Sequence, residues 1–432
     1  MAKMPLVLHI VAHLGGGVGK AISTVIKSAS KNHSSFEHLV VLVDEPKQTE
    51  HLRELCNNSI EVIVTPSLEE LKDLINRCSI LQVEWWNHPK IIETLCLLRS
   101  IEKRIVIWSH TSGLFEQIIP LELLVAPNRF VFTSRCSEAL LTTPLLNGKK
   151  INTSVISSAV GISELPERSK ARARRLNIGY VGTLDYSKFF VDFVEWASEI
   201  PLDVLPIKLI GDGPNKGDIA EQADNFGVPE LLDFVGYSSS VTEELFALDI
   251  FLYLLNPRHY GTAENALVEA MACGAVPIVL PNPAELCIVE HKKNGIVVSS
   301  KDELLEWLVK LKNDQTLLRD LSENASKSTR ANFSTHQTVC EWEQLYNDVL
   351  REKPRKANFC DSFGERPIDW FLSCRADKEY VLSQIPENDP KKSVLYRETR
   401  SKGSIGQFLE YYPNDPELLR HYHSFVRMNT DI

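Results

Sequence analysis

The stretch NPRHYGTAENALVEAMACGAVPIV, from Asn256 to Val279, constrains the fold more than any other part of the chain. Glu264 to Cys273 has the composition of a helix, Gly274 is a stop signal, and the residues from Ala275 to Val279 read as a buried strand. Ala266, Leu267, Ala270, Met271 and Ala272 make that helix apolar on most faces. Glu269 sits among them, and a carboxylate in apolar surroundings needs a partner, because burying an unpaired charge is costly. No neighbour in sequence offers a cation. Either Glu269 accepts hydrogen bonds from two vicinal hydroxyls, as on a ribose, with phosphates held by a helix N-terminus, or it is a partly exposed glutamate on an ordinary helix. Spacing leaves both readings open.

Outward from this stretch the chain alternates apolar runs with helix-length segments. LVLHIVA, HLVVLV, IEVIV, ILQVEWW, RIVIW and RFVFT come first; after VISSAVGISELPE the rhythm restarts with NIGYVG, IKLIGDG, LDFVGY, DIFLYLL, AVPIVL and GIVVSS. This is the pattern of parallel α/β sheets, and it predicts two domains with a boundary near Ile151 to Leu176. Ligands of open parallel sheets sit at the carboxyl ends of the strands, so the small and polar residues closing each run should face a cleft. From Lys353 on the composition changes to charges, aromatics and proline, with helical patches such as PELLRHYHSFVRM.

Composition excludes several classes. At 432 residues, with 44% hydrophobic and 24% charged residues, the sequence is that of an ordinary globular protein of two large domains and an added segment. A net charge of −10 argues against nucleic-acid binding. The basic run RSKARARR, Arg168 to Arg175, reads as a solvated inter-domain segment or as a phosphate or lipid contact. Nine scattered cysteines without metal spacing read as buried or inert thiols in a reducing compartment. The sequence shows no metal site, no membrane span and no signal peptide, so the expected location is the cytoplasm.

HLGGGVGKAIST, His13 to Thr24, is the main source of ambiguity. A phosphate loop of the form G-x-x-x-x-G-K-[ST] needs a first glycine, a lysine for phosphates and a hydroxyl for Mg²⁺. Aligning Gly19 and Lys20 with the G-K pair puts Leu14 at the first glycine and Ala21 at the hydroxyl. VVLVDE, Val40 to Glu45, then imitates a strand ending in a metal-binding acid. What survives is a strand, a glycine turn and a helix N-terminus.

The fold rhythm, GDGP, FVGY and the L-x-E-A-M-A-x-G helix before a P-I-V strand together resemble the retaining glycosyltransferases of family 4, over roughly residues 5 to 350. The resemblance implies the GT-B fold: two Rossmann-like α/β domains facing across a cleft, with an extra C-terminal segment. It divides the chain into an acceptor domain (1–160), a donor domain (176–335), a return helix (336–352) and an extension of unknown role (353–432). The family pattern P-S-x-x-E-G-F-G-x-x-x-x-E-A-M-A is met at Pro257, Glu269, Ala270, Met271 and Ala272. Its first glutamate falls on Gly261, and Glu264 stands three residues on, where it either replaces the missing acid or does not. Glu269 carries over as the ribose ligand, with Asn265, Ala266 and Leu267 at the donor. The diphosphate clamp G-R-L-x-x-x-K-G carries over as Gly182 and Lys188, but Thr183 takes the arginine position. Lys20 or Arg258 could compensate; alternatively Thr183 caps a following helix and Lys188 is a solvated helix residue.

Under the same resemblance Gly16 and Gly17 belong to a donor and acceptor loop, Gly211 and Tyr237 to the donor site, and His110 of WSHTSG contacts the donor sugar. Trp86 and His88 of WWNHP stack on a sugar or a lipid-linked acceptor, or are core residues. The implied catalytic set is His110, Lys188 and Glu264. The implied reaction is metal-independent transfer from a UDP- or GDP-linked sugar to a glycan, lipid-linked or small-molecule hydroxyl with retention, as in polysaccharide biosynthesis, without a cofactor. The enzyme would be cytoplasmic, with or without a peripheral hold on the membrane. A P-loop ATPase using GGGVGK, a nucleotide-sugar epimerase and a nucleotide-sugar-binding protein without transfer activity remain as alternatives.

Overall fold

The apolar runs become two parallel sheets, each wound in both directions from its first strand. The computed structural model describes residues 4–115, 117–167, 176–201, 206–238, 240–375 and 400–430; the basic run 168–175 and Ser239 lie outside the described residues. The chain divides into two units, Met1–Val160 with Tyr260–Ala263 and Thr335–Ile432, and Gly161–His259 with Glu264–Ser334.

The first unit contains β1 (Leu6–Val11), β2 (Glu37–Leu42), β3 (Glu61–Val64), β4 (Ile80–Trp85), β5 (Ser100–Lys103), β6 (Ile105–Ser109), β7 (Arg129–Phe132) and β8 (Thr153–Val155). Its main sheet has the order β3-β2-β1-β4-β6-β7-β8, all parallel. β1 and β4 are fully or nearly fully buried along their length, as strands covered on both faces must be. Two elements were not legible as apolar runs: β8, and β5, which pairs antiparallel with a strand of the extension, Arg355–Asn358.

The second unit contains β9 (Ile178–Val181), β10 (Ile207–Ile210), β11 (Leu232–Gly236), β12 (Ile250–Tyr253), β13 (Val276–Val279) and β14 (Ile296–Val297), in the order β11-β10-β9-β12-β13-β14. Both orders reverse beside the first strand, at β1/β4 and at β9/β12. That switch point is where an open parallel sheet leaves a crevice at the carboxyl ends of its strands.

Four helices matter below. The first, α1 (Gly16–Lys31), follows β1 directly, so Gly19 and Lys20 are helical rather than part of a phosphate-cradling loop. Gly19 has a packing role: a Cβ there would lie 2.1 Å from the carbonyl oxygen of Leu14. The helix of the opening stretch is α2 (Asn265–Ala272), with Leu267, Val268, Ala270, Met271 and Ala272 buried. The long helix α3 (Thr335–Arg351) packs in the first unit, where Trp342 meets Trp108 edge-on at 4.9 Å. In the extension, α4 (Ile405–Tyr411) begins at Ser404, whose hydroxyl accepts a hydrogen bond from the backbone of Gln407. The extension thus packs on the first unit, with Phe359, Phe363, Trp370, Phe371 and Phe408 in that unit's core.

Candidate functional site

At the β9/β12 switch point the second unit assembles a charged cluster. The segment after β9 does not enter a helix: it turns at Asp185 and runs alongside the residues after β12. Lys188 donates its backbone N–H to Asp185, accepts one from Asn256 at 2.8 Å, and Phe189 bridges Leu255. Asn256 donates its side-chain amide to the carbonyl of Tyr186 at 2.9 Å. Lys188 is therefore pinned, and its ammonium lies 3.0 Å from Glu264 Oε2. Two structural alternatives fall away: Lys188 is not a solvated helix residue, and Thr183 caps nothing, since the next helix starts at Phe193. Thr183 instead offers its carbonyl to the hydroxyl of Tyr180 at 3.2 Å.

Glu264 is the N-cap of α2, with φ 42 and ψ 56, a left-handed conformation that is uncommon outside glycine. Its side chain is wholly buried. Oε2 accepts the Tyr253 hydroxyl at 2.6 Å, and Oε1 faces His259 Nδ1 at 3.7 Å. His259 reaches Glu285 with Nε2 at 3.2 Å, and Asn282 donates to the other oxygen of Glu285 at 3.0 Å. Burial alone would raise the Glu264 carboxyl, but the Lys188 ammonium, His259 and the Tyr253 hydroxyl outweigh it and hold the group below the usual carboxylate range. Burial would lower His259; Glu285 and Glu264 outweigh it and raise it.

Glu269 is half-buried on α2; the wholly buried carboxylate of this stretch is Glu264, and its cation is Lys188. Glu264 contacts Lys188, Tyr253 and His259, and so ties the lysine to the start of α2. Lys188 keeps 24% of its side chain exposed and has three N–H donors, so it can hold Glu264 and still meet an anion.

The other residues expected at the donor fall as follows. Asn265, Ala266 and Leu267 form the first turn of α2, whose backbone N–H groups favour negative charge. Gly182 and Gly211 close β9 and β10; a Cβ on Gly211, at φ +134, would lie 2.1 Å from the Gly182 carbonyl, so only glycine allows this approach. Tyr237 follows β11 and is 75% exposed. Among the described residues no group of three or more His, Cys, Asp and Glu side chains could hold a metal ion.

In the first unit, Gly16 and Gly17 begin α1, and the Gly16 amide donates to Gln48 Oε1 at 3.3 Å. His110 follows β6, and its Nε2 lies 2.9 Å from Glu84 Oε2. Glu84 is a β4 residue with no exposure, and its other oxygen takes Gln82 Nε2 at 2.7 Å and His9 Nδ1 at 3.4 Å. Gln82 in turn accepts the Tyr346 hydroxyl of α3 at 2.7 Å. Burial would raise Glu84, while His110 and His9 bring it below the usual range. An ionised carboxylate only accepts, so it fixes the Nε2–H tautomer and the ring plane of His110. Trp86 and His88 follow β4, their ring centroids 4.6 Å apart. None of the nine cysteines is in a disulfide; Cys56, Cys287 and Cys340 are exposed. Among the described residues no helix is long and apolar enough to cross a membrane.

Sequence reading missed Glu84, His9, Tyr253, His259 and Glu285. Gln82 and Glu84, two apart on a strand otherwise apolar on both faces, were a readable signal. His259 and Glu285 lie 26 positions apart and had none.

Residues 162–328 match the family model described as Glycosyl transferases group 1. N-acetyl-alpha-D-glucosaminyl L-malate synthase of Bacillus anthracis is 28% identical over 163 residues, which is 37% of this chain and 41% of that protein. Alpha-monoglucosyldiacylglycerol synthase of Acholeplasma laidlawii is 28% identical over 168 residues, 38% of this chain and 41% of that protein. The matches thus span less than half the length of these relatives. Among solved structures, HepE of Anabaena in complex with UDP and glucose superposes with a TM-score of 0.65 over 80% of this chain and 100% of its own, at 16% identity. The fold is GT-B.

Proposed function

We propose, on the premise that residues 162–328 are a group 1 glycosyltransferase domain, that the chain moves a hexosyl group from a nucleoside diphosphate sugar to an acceptor hydroxyl, with retention and without a metal ion. The observation that carries this reading is the Lys188–Glu264 pair at the start of α2, inside the matched segment. It presents one cation beside a helix N-terminus at a sheet switch point, an arrangement suited to a leaving diphosphate. UDP is the favoured nucleotide because HepE was solved with it.

In this reading Glu269 holds the donor ribose, Asn265, Ala266 and Leu267 offer amides to the diphosphate, and Lys188 neutralises it. Gly182 and Gly211 let backbone approach the donor, and Thr183 and Tyr237 border it. His110, oriented by Glu84, contacts the donor sugar. The bond from sugar C1 to the phosphate oxygen breaks and its electron pair leaves with the nucleoside diphosphate. The acceptor oxygen bonds to C1 on the same face, and its proton passes to the departing phosphate. The protein's part is positioning and charge stabilisation. Gly16 and Gly17 belong to the loop admitting donor and acceptor, a glycan, lipid-linked or small molecule, on the cytoplasmic side.

The test is to incubate the chain with UDP-glucose in EDTA and follow UDP release and the anomer of the first-formed sugar by proton NMR. The expected outcome is slow UDP release with the α configuration kept. A β product, or release only after adding a divalent metal, would defeat the corresponding part of the reading.

A further inference from the structure

The face of the first sheet that α3 covers is apolar at Ile80, Val106, Trp108 and Val131, with Trp342 and Tyr346 in the same cluster. Two residues of β4 interrupt it. Gln82 and Glu84 stand two and four positions after Ile80, so they project to the same face. Gln82 lies in register with His9 of β1 and Val106 of β6, and Glu84 with Trp108. All of this polar surface is shut away from solvent: Gln82 is 1% exposed, Glu84 not at all and Tyr346 2%.

The hydrogen bonds run in one direction, from α3 to the strand end that carries His110. The Tyr346 hydroxyl donates to Gln82 Oε1 at 2.7 Å, Gln82 Nε2 donates to Glu84 Oε1 at 2.7 Å, and Glu84 Oε2 takes His110 Nε2 at 2.9 Å. Each step has a fixed sense. Burial, with the Glu84 charge adding to it, pushes the Tyr346 hydroxyl well above its ordinary value, so it keeps its proton and donates. An ionised carboxylate has no proton to give, so Gln82 must turn its amide N–H to Glu84 and its carbonyl to Tyr346. His9 Nδ1 lies 3.4 Å from the same Glu84 oxygen, and His9 Nε2 is 3.0 Å from His38 Nδ1. Oε1 is thereby engaged from two sides, and Oε2 is the oxygen turned to His110.

Packing alone does not call for this chain. Apolar side chains of similar shape would fill the face at equal or better stability, since a buried polar set at best offsets its own desolvation. The Tyr346 ring has its own contacts, edge-on to Phe36 at 5.2 Å and beside Trp342 at 5.3 Å, which a phenylalanine would keep. The hydroxyl therefore has a task separate from that of the ring. What an apolar face cannot do is hold a carboxylate, and through it an imidazole, in one orientation.

We propose that Gln82 and Tyr346 are positioning residues of the transfer site. Tyr346, 264 positions away in sequence, orients Gln82; Gln82 orients Glu84; and Glu84 keeps the His110 proton on Nε2 and its lone pair on Nδ1. His110 then presents an acceptor atom in one fixed plane. The inference rests on the proposed contact of His110 with the donor sugar.

The test reads the His110 ring directly. The full chain, isotope-labelled in histidine, is observed by long-range proton–nitrogen NMR, with His110→Gln identifying the signal. The unaltered chain should show a single Nε2–H form, and Tyr346→Phe and Gln82→Met a mixture of both tautomers. With UDP-glucose in EDTA, kcat should fall about fivefold in Tyr346→Phe and at least about tenfold in Gln82→Met, the effects of one neutral and one charge-assisted hydrogen bond lost. The dissociation constant of UDP, which lacks the sugar, should stay unchanged in both. Tyr346→Phe keeps the ring contacts and decides the matter alone if Gln82→Met does not fold. A single Nε2–H form in the variants, or a fall in kcat matched by an equal loss of UDP affinity, would overturn the proposal. Absence of UDP binding by the unaltered chain would instead count against the proposed donor chemistry, and the His110 spectra would still decide the positioning roles.

Discussion

Replacing Lys188 with alanine should destabilise the second unit by about 3–5 kcal/mol and lower kcat/KM at least about tenfold. The stability loss follows from what is left behind. Glu264 has no exposed side-chain surface, so without Lys188 it stays buried with one hydroxyl and a histidine whose charge is shared with Glu285. Removing one partner of a buried pair exposes the full cost of burying the other. The double variant Lys188→Met/Glu264→Gln removes both charges and keeps an acceptor for Tyr253. It should recover most of the stability and none of the turnover, because the diphosphate loses its cation either way. Urea unfolding midpoints and initial rates on the three proteins separate these effects. A single variant as stable as the parent, or a double variant with parental turnover, would contradict the roles given to the pair.

Acid should unfold the first unit through two of its histidines, the buried His88 and the half-buried His38. Burial, helped by His9, pushes His38 down to about 3, and burial, with His13 and Lys402 adding, pushes His88 down to about 3. In the unfolded chain both return to the ordinary value of 6.5. Above that value both states hold the rings neutral and stability is level. Below it the unfolded chain takes up protons that the folded chain refuses, so stability falls, by about 1.4 kcal/mol per pH unit for each ring. The two together remove about 4 kcal/mol between pH 6.5 and about pH 5, a large share of the ~5–15 kcal/mol a domain possesses. His259 does not mask this: its folded value is raised, so its contribution is complete below 6.5 and is lost only as pH rises through the folded value. The lowered carboxyls of Glu84 and Glu264 begin to matter only below about 4.5. Urea midpoints from pH 7.5 to pH 5 should show the slope, and His38→Gln should reduce it by about half. A flat profile would mean that these rings are solvated in the folded state.

How much of this was readable in the chain depends on whether the signal was local. Strand runs such as LVLHIVA and DIFLYLL lie within single windows, and each forms a strand of the parallel sheets. The helix at 265–272 and its Gly274 stop were likewise local. The choice between a buried and a partly exposed Glu269 was not local: a helix apolar by composition still turns one edge to solvent, where Glu269 is half-buried, and the buried acid is the helix cap, Glu264. Lys188 meeting Glu264, and His110 meeting Glu84, depend on strand order, which composition does not encode. The glycine run after β1 looked like a phosphate loop because a strand, a glycine turn and a helix share one local code. The helix starting at Gly16 resolves it. The extension had turn and helix signals in GSIGQFLEYYPNDPELL, but nothing local tied Tyr411 to Asp44 across 367 positions.

The most direct measurement of the central claim is calorimetric titration of the chain with UDP, GDP and ATP, each in EDTA and again with Mg²⁺. The account predicts that UDP binds in EDTA, that Glu269→Ala weakens it at least about tenfold by removing the ribose acceptor, and that ATP does not require Lys20. Binding confined to ATP with Mg²⁺ and abolished by Lys20→Ala, or UDP binding indifferent to Glu269→Ala, would contradict it.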